Sequence, residues 1–272
     1  MCIPSITTTL RKLPVFQRTS WKVFAIVGVL VLLMLAGFVY FTRPSVTGAT
    51  VVLDIPHANT HVFLDNSRLL GITHEPDTSL SVNVPTDTHV ITVVRNNHWP
   101  WVYVHEFNRG DTHNLQPFLL PKNITPRVIA PESQTYNKIT QAIHGKRGAP
   151  TANDPLTSPD GSTHAWVNGS TIYLGRSTTS AALPDIFCEK NTCTSEVVLS
   201  ERTHPVRELA YYKNRNDVLI FEEADTIYTI GAHGINLQRL YKGSAQTPPH
   251  MHTVGTSTIY VLNDDTLFHM NL

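Results

Sequence analysis

The sequence predicts a mainly β protein: one N-terminal transmembrane helix, a small antiparallel β-sandwich, and then antiparallel sheets built from a repeated strand unit. Three observations carry that expectation. A charge-free apolar run fills residues 23–41, short β-branched and aromatic segments alternate with turn residues from 50 to 121, and a strand-turn-strand unit recurs beyond residue 158. The 272 residues suit one large domain or two modest ones. The 21 Lys+Arg balance the 21 Asp+Glu, which argues against nucleic acid as a partner, because such binders carry a clustered basic excess. Three Cys are too few for a disulfide scaffold, and none has zinc-site spacing.

The apolar run reads VFAIVGVLVLLMLAGFVYF. As a helix it would cover roughly 28 Å, about the hydrocarbon thickness of a bilayer. A helix that is apolar on every face has no solvent side to offer in a globular core. Trp21 and Tyr40 flank the run, where amphipathic rings favour the membrane interface. The span is therefore placed at 23–42. Arg11, Lys12, Arg18 and Lys22 precede it without an acidic residue, so the positive-inside rule puts tail 1–22 in the cytoplasm and everything beyond Pro44 outside a cell membrane crossed once. A cleaved signal peptide has a shorter apolar core, about 7–15 residues, and a small-residue cleavage site. Here the run ends in bulky Phe38-Val39-Tyr40-Phe41, and no Cys follows to act as a lipobox. Beyond residue 42 the chain carries 17 basic against 21 acidic residues, formally −4, together with all 14 His. Mild acid would reverse that sign if the imidazoles titrate near their ordinary value of about 6.5. The histidines are nevertheless read as surface residues and not as a pH sensor.

From 50 to 121 the strand segments are Val51-Val52-Leu53, His61-Val62-Phe63-Leu64, Leu80-Ser81-Val82-Asn83-Val84, His89-Val90-Ile91-Thr92-Val93-Val94 and Trp101-Val102-Tyr103-Val104. Between them lie Pro56, Asp65-Asn66, Gly71, Pro76, Pro85-Thr86-Asp87, Asn96-Asn97 and Arg109-Gly110-Asp111. Short alternating strands at this spacing of turns predict an antiparallel sandwich without helix. The segments Val62 through Asn66, Leu70-Gly71, the two following strands, Asn97-His98-Trp99-Pro100-Trp101 and the closing Leu115-Gln116-Pro117-Phe118-Leu119-Leu120-Pro121 resemble the PEGA domain, a small bacterial surface sandwich. Where that family has Pro-Gly before its His-bearing strand, this chain has Pro85-Thr86-Asp87-Thr88-His89, a turn that an Asp side chain can support. Trp99 and Trp101 are the candidate binding residues here, since exposed aromatics stack on sugars and peptides. In the competing reading one ring caps the sandwich core and Pro100 opens an edge strand.

Residues 122–157 read as a linker with a short helix. Tyr136, Ile139 and Ile143 have helical spacing within 133–144, and Gly145 would end the helix. Lys146-Arg147 reads as a solvated tip. From 158 to 272, Thr171-Ile172-Tyr173, Thr226-Ile227-Tyr228 and Thr258-Ile259-Tyr260 each follow a short apolar strand. Repeated strand-turn-strand units are how propeller blades appear in sequence. Ser158-Pro159-Asp160-Gly161 leading into His164-Ala165-Trp166 resembles the turn of TolB-like propeller repeats, which joins two blade strands. A degenerate copy runs from Val206 through Tyr212, with residues 213–217 in the turn. About 115 residues cannot close a ring of at least four blades of some 40 residues each. The expectation is a partial propeller of two or three blades, whose open edges would let copies of the chain associate as a homo-oligomer. Cys188 and Cys193 bracket four residues and are expected to form a disulfide closing a hairpin in an oxidising compartment.

Nucleophile elbows, HExxH, phosphate loops and dinucleotide fingerprints are absent from the sequence. His250 and His252 lack a third ligand in register and are read as a loop coincidence, so neither a metal nor a cofactor is expected. Glu222-Glu223 and Asp264-Asp265 are read as solvating residues, pointing to opposite strand faces or lying in turns. The sequence therefore predicts a single-pass membrane-anchored envelope protein that presents non-catalytic β domains to a cell-surface protein or cell-wall glycan. The alternative is an extracytoplasmic hydrolase or sensor-type subunit with an unrecognised site.

Overall fold

The computed structural model describes residues 26–29, 31–35, 48–68, 75–145, 148–177, 185–189, 192–212, 215–232, 235–244, 246–254 and 258–271. The chain divides into two units, Met1–Val46 and Thr47–Leu272. In the first, residues 26–29 and 31–35 are helical and carry exposed apolar side chains such as Ile26, Leu32 and Met34. No helix among the described residues is long and apolar enough to cross a membrane. The tail 1–22 and the remainder of the expected span, 23–25, 30 and 36–42, lie outside the described residues.

The second unit is mainly β, in several antiparallel sheets. Its first part is a sandwich of seven strands: Gly48–Ile55 (β1), Thr60–Leu64 (β2), Ser67–Arg68 (β3), Thr78–Pro85 (β4), Asp87–Arg95 (β5), Trp101–Phe107 (β6) and Thr112–Leu115 (β7). One sheet has the order β4-β1-β7 and the other β3-β2-β5-β6. Alternation decides the faces. Ala49, Val51, Leu53 and Ile55 of β1 point inward with Ile91 and Val93 of β5 and Trp101, Tyr103 and Phe107 of β6. Asp65 and Asn66 take φ of 47° and 66° in the β2–β3 hairpin, a left-handed conformation that Asp and Asn tolerate. Asp87 takes φ 134° and accepts the Thr88 N–H at 2.7 Å, so an Asp does support the turn before the His-bearing strand. One pairing corrects the antiparallel expectation: β7 runs parallel to β1, with Thr50 opposite Thr112. It arrives from the opposite sheet through the turn at Gly110, so no hairpin forces it to fold back on β1.

The residues expected to be a linker do more than connect. Arg127–Ile129 (β8) and Leu156–Thr157 (β9) are strands, and Gln134–His144 (α1) is the expected helix. Ser133 caps it by accepting the Tyr136 N–H at 3.1 Å, Gly145 ends it, and Ile139 and Ile143 pack on Leu262 and Leu267. The remaining strands are Thr163–Asn168 (β10), Thr171–Arg176 (β11), Cys188–Glu189 (β12), Thr192–Cys193 (β13), Glu196–Glu201 (β14), Val206–Tyr211 (β15), Val218–Glu223 (β16), Thr226–Gly231 (β17), Gln238–Lys242 (β18), His250–Val254 (β19), Thr258–Asn263 (β20) and Thr266–Asn271 (β21). They build three four-stranded antiparallel sheets, each labelled a blade: β14-β11-β10-β9, β15-β16-β17-β18 and β19-β20-β21-β8. The last is completed by β8, which comes from before the helix.

The repeat lies in the hairpin joining the second and third strands of each blade. Asn168 pairs with Thr171, Glu223 with Thr226 and Asn263 with Thr266, each across two turn residues. The first turn residue has φ of 63° at Gly169, 48° at Ala224 and 53° at Asp264. The sequence reading is therefore one strand out in the third copy. Thr258-Ile259-Tyr260 opens the second strand of its blade, whereas its counterparts open third strands. Thr-Ile-Tyr marks a strand by propensity, but the hairpin sets the register.

All six residues of β16 are buried. Leu219 and Phe221 face the first blade's Ala165, Ile172 and Leu174, while Val218 and Ile220 share a core with Met251, Ile259 and Val261 of the third blade and with the sandwich. Glu222 and Glu223 follow the same alternation, at 2% and 4% exposure, so they are not solvating residues. Glu222 accepts the Met251 N–H and lies 3.7 Å from Arg207. Glu223 accepts from Arg202 Nε at 2.8 Å and from the Thr203 and His204 N–H groups at 3.1 Å. Burial alone would raise the Glu223 carboxyl, but the Arg202 guanidinium and these N–H groups outweigh it and hold the carboxyl below its ordinary 4.5. Its stabilising contribution is therefore complete above about pH 4.5 and is lost as pH falls through the lower folded-state value. Glu223→Gln is expected to cost about 3 kcal/mol at pH 7, read as a lower urea midpoint. The gap to the parent should shrink on acidification below that pH.

Candidate functional site

Where the sandwich meets the blades, two side chains tie them. Asn236, in the β17–β18 connection, accepts the Val102 N–H at 2.8 Å and donates Nδ2 to the Val102 carbonyl at 2.9 Å. Its carboxamide thus stands in for a neighbouring strand on the free edge of β6. Arg215 donates Nε to Asp217 at 2.7 Å and a terminal N–H to the Gln116 carbonyl, with its guanidinium 5.7 Å from the Phe118 ring centre. Phe118 in turn meets Tyr212 edge-on at 4.7 Å.

Beside these ties lies a cleft of about 600 Å³. The sandwich contributes Trp101, Tyr103, Thr112, Asn114 and Phe118; the blades contribute Ser162, Thr163, Asn216 and Asn236. Trp101 and Tyr103 are stacked at 5.7 Å with their planes 2° apart. Among the described lining residues the charged ones are Asp54 and Asp217. Asp217 is neutralised by Arg215 at 2.5 Å, and Asp54 accepts the Ser79 hydroxyl. Rings, amides, hydroxyls and two engaged carboxylates, with no cation among the described lining residues, suit an uncharged polar ligand.

The blade side of the cleft is organised by the turn Ser158-Pro159-Asp160-Gly161, which joins β9 to β10. Gly161 takes φ 71°. The Asp160 carboxylate gathers the Ser158 hydroxyl at 2.8 Å, the Ser162 N–H at 3.0 Å and the Ser162 hydroxyl at 2.7 Å, and it receives Asn216 Nδ2 from the corresponding β15–β16 turn. Burial would raise this carboxyl, but its hydrogen bonds together hold it below the ordinary value. Residues 213 and 214 of the second turn lie outside the described residues. Behind the cleft, the Thr163 and Tyr211 hydroxyls are 3.0 Å apart, and burial pushes the Tyr211 phenol up to about 12. These groups therefore keep one protonation state near neutrality.

The structure separates the two candidate tryptophans. Trp101 is 7% exposed and belongs to the sandwich core and the cleft wall. Trp99 is 41% exposed and lies under the Lys122 ammonium at 5.6 Å, outside the cleft lining. They form no common platform, because Trp101 begins an edge strand while Trp99 precedes Pro100. Cys188 and Cys193 are register partners joined by a disulfide, with Cα atoms 4.0 Å apart. The hairpin follows the turn Asp185–Phe187, whose Ile186 lines the cleft. His250 and His252 lie in strand β19 and not in a loop. No group of three or more His, Cys, Asp or Glu among the described residues is arranged to hold a metal.

Asn236 carries no pattern in the sequence, and Arg215 and Asn216 were legible only as members of the 213–217 turn, not as ties to the sandwich or to Asp160. Asn236→Ala strips both hydrogen bonds from Val102 and should cost about 2 kcal/mol in a urea titration. Trp99→Ala should shift the same midpoint by less than about 0.5 kcal/mol. No protein-family model matches the chain, and no curated protein matches it.

Proposed function

We propose that the chain is a single-pass membrane-anchored envelope protein whose PEGA-like sandwich and TolB-like partial propeller bind a cell-surface glycan or protein without transforming it. The cleft carries this reading: stacked rings beside neutral hydrogen-bonding groups are suited to holding an uncharged polar surface. Hydrolysis would call for a titratable group poised near neutrality, whereas Tyr211 is driven far above it and Asp160 below. Exposed apolar side chains on helical residues 26–29 and 31–35 support the anchor. Exposed Val198 on the edge strand β14 is where a second copy of the chain would add.

Asn114 is exposed and lines the cleft, so Asn114→Trp fills the site without cutting into the core. Immobilised full-length protein in detergent should retain soluble wall-glycan fragments or envelope proteins, and Asn114→Trp should lower that retention at least tenfold. Equal retention by both proteins, or none by either, contradicts the reading. Protease added to intact cells should remove the β unit and spare residues 1–22; the reverse pattern overturns the orientation.

A further inference from the structure

Strand β7 has one edge in use and one edge free. The Thr50 N–H donates to the Asp111 carbonyl at 2.8 Å, and with Val51 opposite His113 the parallel ladder takes the main-chain groups of His113 on the same side. Main-chain groups alternate in direction along a strand, so those of Thr112 and Asn114 point away from β1. Neither residue makes another main-chain hydrogen bond among the described residues, where β7 ends its sheet. Both are exposed, and both line the cleft. The edge of β6, whose Trp101 and Tyr103 line the same cleft, is already satisfied: the Asn236 carboxamide accepts from and donates to Val102, as a passing peptide group would.

We propose that the cleft takes an extended, uncharged segment of a partner protein, which pairs with β7 as an added strand. The inference rests on the binding reading above and narrows it from a glycan or a protein to a polypeptide strand. An edge strand offers donors and acceptors in fixed alternation, and an extended peptide carries the complementary alternation along its length. A glycan presents hydroxyl groups around its rings and has no main-chain repeat to match. The cleft follows the chain from Thr112 to Gln116, and the four-residue strand there covers about 13 Å. Its volume of about 600 Å³ admits one extended chain and excludes the sheet that a folded second copy would bring. The blade wall supplies apolar Leu174 and Ile186 and neutral polar Ser162 and Asn216, which suits the alternate side chains of an added strand. Asp217 and Asp54 are engaged with Arg215 and Ser79, so neither calls for a charged side chain on the segment.

Full-length protein in detergent is panned against a phage-displayed library of random heptapeptides, and recovered peptides are resynthesised with a single N-methyl group at each residue in turn. N-methylation at alternate residues should weaken binding about tenfold or more, and at the intervening residues by less than about threefold. Amide exchange should show the Thr112 and Asn114 N–H groups unprotected in the free protein and protected with peptide, while His113 stays protected throughout. Asn114→Pro removes one edge donor, leaves the His113 pairing with β1, and should lower peptide affinity about tenfold. The N-methyl series and the exchange of the parent decide the matter if that variant does not fold. Failure to recover a peptide, equal losses at every N-methylated residue, or protection of Thr112 and Asn114 in the free protein would overturn the strand pairing; the last result would assign the edge to a second copy or to the chain itself. Retention of wall-glycan fragments without recovery of a peptide overturns the pairing and keeps the binding reading, whereas loss of both overturns both.

Discussion

Strand β16 is the constraint from which the rest of the β unit follows. A strand buried on both faces needs a layer on each side, and here the first blade covers one face and the third blade, with the sandwich, the other. Its two terminal carboxylates have no water to turn to, so each must find donors in the neighbouring layer. Glu223 finds them in the β14–β15 connection, and Glu222 finds them at β19. The blades are joined through these polar ties as well as through apolar packing. Such ties fix register, which an apolar contact alone does not.

The same logic accounts for the ends of the stack and for the cleft. At the third blade, α1 covers one face by packing Ile139 and Ile143 on Leu262 and Leu267. The free edge of β6 is covered by the Asn236 carboxamide. Because the sandwich touches the second blade through Asn236, Arg215 and the Phe118–Tyr212 contact, space is left beside these ties. Side chains that serve the two folds in their own right become the walls of that space. Trp101 is at once a core residue of the sandwich and a surface of the cleft.

Much of this architecture was legible in the sequence. Period-2 alternation marked the principal sandwich strands, and Tyr136, Ile139, Ile143 and Gly145 gave the helix and its C-terminal end, though not its Ser133 cap. The Ser158-Pro159-Asp160-Gly161 stretch is the turn between two strands that it was read as. What escaped were features set by tertiary context. Arg127–Ile129 is too short to announce itself as a strand, and it becomes one only because β21 needs a partner. Glu222 and Glu223 look solvated in any local window, since nothing nearby in sequence names Arg202 or Met251. The histidines at 105 and 113 looked like surface composition, and only the fold brings their rings together around Phe107.

The central claim is that sandwich and blades form one cooperative body around β16. Native-state hydrogen exchange at pH 7.5, followed across sub-denaturing urea concentrations, tests it most directly. The account predicts that the best-protected amides of β5 in the sandwich and of β11 and β16 in the blades converge on the same opening free energy with the same urea dependence. A separate opening of lower energy that releases β5 while β11 and β16 stay protected would contradict it.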